Sequence, residues 1–206
     1  MQDAAARRQP VQERSAARVE RMLDAAAELL DSVGHDGTTT STIARRAHVS
    51  VGSLYQFFPD RRALLQALAV RSFTRFSDAL DQALAEHPPT DWRAAVALVV
   101  SEYVAFTRSE PGMRVLSFGG PVDQRLLTSE VDNNAVVAAR LEQVLAAVAP
   151  GLRPSPALSL CVRVAVEAAD AVLSLAFQRD PEGDPLVVAE ANALLTAYLA
   201  ASGHLP

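Results

Sequence analysis

The polar side chains of residues 38–65, TTTSTIARRAHVSVGSLYQFFPDRRALL, are suited to one kind of chemistry. Thr40, Ser41, Ser50, Ser53 and Tyr55 carry hydroxyls, Gln56 an amide and Arg61 a guanidinium. Such groups hydrogen-bond phosphate oxygens and base edges. Interleaved with them are apolar residues at helical spacing, the division into a packed face and a free face that a groove-entering helix needs. The residue types that make or break bonds are scattered. His35, His48, His87 and His204 lie far apart, Cys161 is the single cysteine, and no cluster has metal-ligand spacing. Without a nucleophile–base pair, a zinc pattern or a phosphate-cradling glycine loop, an enzyme is not expected, nor is a metal or cofactor.

To act together, the polar groups must be held on one face. Ile43, Ala44 and Ala47 form the inner face of a short helix over 40–47, Val49 plugs a turn, and Leu54 and Phe58 anchor a second short helix over 51–57. Thr39 is the expected N-cap of the first and Ser50 of the second, where free amide groups favour a phosphate oxygen. Upstream, Val19, Met22, Leu23, Ala26, Leu29, Leu30 and Val33 recur at helical spacing, predicting a helix over about 15–33 that stops at Gly34. Residues 1–14 read as a loose tail, from which Arg7, Arg8 and Arg14 are placed to touch DNA backbone or minor groove. Pro59 and Asp60 open a long helix to about Glu86, and Pro88–Pro89 closes it.

Thr40, Ile43, Ala44, Ala47, Val49, Ser50, Gly52, Leu54, Tyr55, Phe58, Arg61 and Leu64 keep a fixed mutual spacing. In that spacing the segment resembles the N-terminal domain of the TetR family of bacterial transcriptional repressors, whose pattern includes I-A-x-x-A-G-V-S-x-G-x-L-Y-x-x-F-x-x-[KR]-x-x-L. The detailed resemblance covers about residues 18–70; beyond them it is one of layout. It implies an all-α fold, with a flexible tail (1–14), a three-helix helix-turn-helix DNA-binding domain (15–62), and a helical-bundle domain for ligand binding and dimerisation (63–206). It assigns Thr40, Ser53, Tyr55 and Arg61 to phosphates, and Ser41, Val51 and Gly52 to the major groove. The implied partners are a pseudo-palindromic double-stranded DNA operator, an unidentified small-molecule effector and a second copy of the chain. Two residues depart from the pattern: His48 stands where glycine is usual in the turn, and Val51 where lysine is frequent. They keep open an alternative, a helical sensor or carrier that has lost DNA binding.

The net charge of −5 hides an asymmetry: residues 1–71 carry +2 and residues 72–206 carry −7, with arginine as the only basic type besides histidine. Phosphate attraction is local on the scale of the ~8–10 Å screening length, so an acidic second half is compatible with a DNA-binding first half. No run of 18 apolar residues suggests a membrane span, the polar N-terminus lacks the apolar core of a signal peptide, and a cytoplasmic address is expected.

The second half reads as helices over about 91–109, 111–117, 121–149, 154–179 and 184–202, parted by proline and glycine. Tyr103, Phe106, Met113, Phe118 and Phe177 are the candidate lining of an effector pocket. Glu167 and Asp170 interrupt an apolar helix, so each needs a partner. Arg163, four residues before Glu167, is one, and a ligand is another. Asn133 and Asn134 are candidate pocket donors. Leu173, Leu175, Leu186, Val187, Leu194, Leu195 and Leu199 exceed what one small domain needs, and the resemblance gives helices 154–179 and 184–202 to a homodimer interface.

Overall fold

The computed structural model describes residues 3–113, 133–149 and 151–205, including their side chains except at 3–13 and 133. These residues form eight helices and no strand: α1 (Asp3–Gly37), α2 (Thr40–Arg46), α3 (Val51–Tyr55), α4 (Arg61–Glu86), α5 (Trp92–Ser109), α6 (Asn133–Val148), α7 (Pro156–Arg179) and α8 (Pro185–Ala201). Phe118, the side chains of Arg7, Arg8 and Asn133, and the expected helical stretches over 114–117 and 121–132 lie outside the described residues.

Capping side chains fix where the helices start. Thr39 and Thr42 form a reciprocal capping box on α2. Ser50 caps α3, Asp60 α4, Asp91 α5, Ser155 α7 and Asp184 α8, each side chain accepting from an otherwise orphaned backbone N–H. The regular part of α1 ends at Gly34, whose φ of 71° and ψ of −173° suit only glycine. Its start differs from expectation: α1 begins at Asp3 rather than Ser15. Residues 4–8 and 12–14 are alanine, arginine, glutamine and glutamate, strong helix formers without an apolar stripe. Periodicity therefore gives no sign of them.

Two apolar cores form. In the first, Met22, Ala26 and Leu30 of α1 meet Ile43, Ala44 and Ala47, then Leu54 and Phe58, then Leu64, Leu65 and Leu68 of α4. This core runs past the expected domain boundary at residue 62, because α4 is continuous and its first two turns face α1. Leu68 is fully buried, and truncating such a leucine to alanine costs about 2–5 kcal/mol. The second core joins α5, α6, α7 and α8 through Trp92, Val96, Val100, Leu141, Leu145, Val162, Leu173, Leu195 and Leu199.

Three devices join the two parts. The helix α4 belongs to the first core at Leu68, while its Phe76 ring packs edge-on against Tyr103 and Phe106 of α5, at 5.6 and 5.5 Å. An ion network follows the same seam: Arg71 meets Glu20 (3.0 Å) and Asp24 (2.7 Å) of α1, and Arg75 meets Glu20 (3.7 Å) and Glu110 (2.9 Å). Gly112, with φ of 77°, lies so close to α1 that an added Cβ would sit 3.1 Å from the Cα of Ala27. None of the described helices is long and apolar enough to cross a membrane.

Candidate nucleic-acid interface and effector cavity

Helices α2 and α3 meet at a tight turn whose bonds explain its shape. Val49 N–H donates to the Ala44 carbonyl (2.9 Å) and His48 N–H to that of Arg45 (3.3 Å), the paired bonds of a Schellman C-cap. The residue between them must be left-handed. His48 accordingly has φ of 55°, the one positive φ outside glycine among the described residues. The substitution for glycine is thus accommodated, at a strain on the order of 1 kcal/mol.

The candidate DNA-contacting side chains around this turn reach the surface to different degrees. Ser41, Ser50, Val51, Gly52, Tyr55 and Gln56 are exposed, and Thr40 and Ser53 half-buried. Tyr55 is 50 % exposed, and its hydroxyl lies 3.3 Å from Oγ1 of Thr40, so α2 and α3 bring two candidate phosphate ligands together. Ser50 Oγ accepts from the Ser53 amide at 3.0 Å. Nothing lies within 4 Å of where a Cβ on Gly52 would point. Arg46 pairs with Glu28 (3.1 Å), whereas Arg45 is exposed and makes no ion pair among the described residues.

Arg61 makes a contact within the chain. Its Nη2 donates to the backbone carbonyl of His35, and its Nε is buried. His35 is one residue past the regular end of α1 at Gly34; its carbonyl accepts from the Thr38 N–H (3.1 Å), and the guanidinium at the start of α4 supplies a second donor. In this structure Arg61 ties α4 to α1.

In the second half a cavity of ≈ 70 Å³ opens between α4, α5, α6, α7 and α8. Its walls are Phe76, Val96, Val99, Val100, Val137, Leu141, Ala165, Val166, Ala169, Leu173, Leu195 and Leu199, with Tyr103, Asn134 and Asp170 as its polar groups. The Tyr103 hydroxyl donates to Asp170 Oδ1 (3.2 Å). Burial pushes the Asp170 carboxyl above its ordinary pKa, hydrogen bonds from Tyr103 and Asn134 oppose this, and the charge of Glu167 adds to it.

Of the expected lining residues, Tyr103 and Asp170 reach the cavity. The others do not. Phe106 stands behind Phe76. Met113 is buried just beyond Gly112, at the seam with α1. Phe177 fills the second core, its ring against Gly183. Glu167 is exposed and paired with Arg163 (2.5 Å), the intrahelical bond its spacing predicts, and it accepts from Asn134 Nδ2 (2.9 Å). The cavity arises where side chains are short. Ala165 and Ala169, one turn apart on α7, leave room that valines on α5 do not fill.

The expected dimer residues also divide. Leu173, Leu195 and Leu199 are buried within the chain. Leu175, Leu186 and Leu194 are exposed, with Leu160, Val164 and Tyr198 beside them on the same two helices. Leu186 is 76 % exposed, and six of the eleven exposed large hydrophobic side chains among the described residues lie on α7 and α8, too concentrated to be incidental.

Comparison with known proteins agrees with this architecture. Residues 22–68 match the family model "Bacterial regulatory proteins, tetR family", and residues 90–202 match "Tetracyclin repressor-like, C-terminal domain". A crystal structure of a TetR-family transcriptional regulator from Streptomyces coelicolor is 37 % identical with a TM-score of 0.72, covering 90 % of this chain and 99 % of that one. The tetracycline repressor class D protein of Escherichia coli is 42 % identical over 59 residues, 29 % of this chain and 27 % of that protein, so the match spans about a quarter of the curated relative's length. FadR from Bacillus subtilis, solved with stearoyl-CoA, is 15 % identical with a TM-score of 0.64 over 88 % of this chain and 97 % of that one, a likeness of fold alone.

Proposed function

Because this chain belongs to the TetR family of transcriptional regulators, we propose that it is a homodimeric repressor that holds a pseudo-palindromic operator and is released by a small, mostly apolar effector. It acts on cytoplasmic DNA and carries out no catalysis. The DNA face is α2 and α3. Thr40, Ser53 and Tyr55 with Arg45 contact phosphates, the α3 N-terminus at Ser50 offers amide groups to another, and Ser41, Val51, Gly52 and Gln56 face base edges. Val51, 39 % exposed, suits a thymine methyl. The exposed leucines of α7 and α8 form the two-fold interface, which sets two heads about 34–36 Å apart, one turn of DNA.

The observation that carries the reading is the course of α4. Leu64, Leu65 and Leu68 are fixed in the head, and Phe76 is a wall of the cavity. Eight residues of helix separate Leu68 from Phe76, about 12 Å at 1.5 Å per residue. An effector that displaces the Phe76 ring therefore tilts a rod rooted in the DNA-binding core, while the Arg71 and Arg75 ion pairs pass the movement to α1. The effector acts only through its preference for the released conformation, and moving a dimer from 99:1 bound-competent to 1:99 takes about 5.5 kcal/mol of that preference.

The test is a titration of purified protein against labelled DNA from upstream of its own gene, with unrelated DNA as control, at several salt concentrations. Selective binding of two chains per site, weakening steeply with salt, is the expected result. Equal affinity for both DNAs refutes the operator reading and leaves the sensor without a DNA partner.

A further inference from the structure

Asp170 is the polar anomaly of the cavity. Its carboxyl faces apolar walls, accepts from the Tyr103 hydroxyl and has the neutral Asn134 amide beside it in the cavity lining. No cation pairs with it among the described residues. Arg163, on the same helix, is committed to Glu167. The second carboxylate, Glu167, adds repulsion to the cost of burial, and both disfavour the charged form. A desolvated carboxylate with only neutral partners is a standing electrostatic deficit, which a positive charge delivered beside it relieves.

The rest of the cavity limits what can deliver that charge. Val96, Val100, Val166 and Leu173 offer hydrocarbon alone. The ≈ 70 Å³ holds roughly five to seven water-sized spheres at ~10–15 Å³ each. A guest of that size has one polar end and a short hydrocarbon body.

We propose that the cavity takes a compact primary amine, its ammonium on the Asp170 carboxylate beside Tyr103 and its hydrocarbon part between the valines of α5 and α7. The inference rests on the proposed function in taking this cavity as the effector site, and it adds the chemical class of the effector. A neutral alcohol of the same skeleton fills the same space and donates one hydrogen bond, but brings no charge. The cavity therefore discriminates between the two through Asp170.

The experiment is calorimetric titration of the full chain, without DNA, using benzylamine and n-pentylamine against benzyl alcohol and n-pentanol at pH 7. Each amine is expected to bind at least tenfold more tightly than its alcohol. Asp170→Asn, which keeps the shape and removes the charge, is expected to erase that preference. Ala169→Met, which keeps the charge and fills the space, is expected to abolish binding of both and serves if the first variant does not fold. Alcohols binding as well as amines, no binding by either, or an amine preference that survives Asp170→Asn or Ala169→Met each overturns the proposal. The same amines are then added to the protein–DNA complex. Amines that bind through Asp170 yet leave DNA affinity unchanged uphold the ligand class and refute the cavity as the effector site, so the two failures are separable.

Discussion

Replacing Gly52 by alanine is expected to make the folded protein more stable and a poorer DNA binder. Gly52 lies within α3, exposed, and an added Cβ meets no atom within 4 Å. The folded protein alone thus gives no steric reason for glycine. A glycine inside a helix costs roughly 0.5–1 kcal/mol relative to alanine, so unfolding should become harder by about that amount. For a chain of this length this is a rise in melting temperature of about 1–4 °C. The new methyl, however, projects from the face of α3 proposed to meet the groove, beside Val51 and Ser53. Where backbone approaches DNA closely, a methyl forces the helix back, and we expect at least a tenfold loss of operator affinity, about 1.4 kcal/mol. A urea titration measures the first effect and fluorescence anisotropy with labelled operator at fixed salt the second. Lower stability would refute the open helical setting of Gly52. Higher stability with unchanged affinity would refute its place in the interface.

Arg61→Ala should lower unfolding stability by about 1–3 kcal/mol through the lost bond to the His35 carbonyl, whereas Arg45→Ala should leave stability unchanged and reduce the slope of log affinity against log salt by about 1. A matched pair of urea melts and salt titrations separates them, and a reduced slope for Arg61→Ala with full stability would make Arg61 a phosphate ligand instead. Asp170 predicts a pH dependence. Because its folded pKa is raised, the unfolded chain releases this proton first as pH rises, so the contribution to stability is complete below the unfolded pKa and is lost as pH rises through the folded one. Asp170→Asn should therefore be more stable than the parent at pH 7, with the difference shrinking in the acid range; melts in which the variant is the less stable at pH 7 contradict the assignment. Leu186→Glu with Leu194→Glu, both at exposed positions, should yield monomers in sedimentation experiments and cost more than tenfold in operator affinity, and an intact dimer would place the interface elsewhere.

The head was legible in the sequence because its constraints are local. Thr39, Ser50 and Asp60 each cap the helix that begins after them, and Ile43, Ala44, Ala47, Leu54 and Phe58 are buried in the order their spacing implies. Even the left-handed His48 follows from its place after α2, since a Schellman turn fixes the backbone of that residue whatever its side chain. The starts of α5 and α8 agree with the expected ones to within a residue for the same reason: Asp91 and Asp184, expected as first helical residues, are the caps immediately before them.

Tertiary structure decided what depends on distant partners. Arg61 is equally suited by sequence to a phosphate or a carbonyl, and only the return of α4 across the end of α1 selects the carbonyl. Leu173, Leu195 and Leu199 are alike in composition to Leu175, Leu186 and Leu194, yet the first three turn inward and the others to the surface. The cavity is the clearest case. It is a gap left by Ala165 and Ala169 against α5, with Phe76 brought from α4 and Asn134 from α6. Periodicity records which face of a helix is apolar, but a void belongs to several helices at once and has no signature in any one of them.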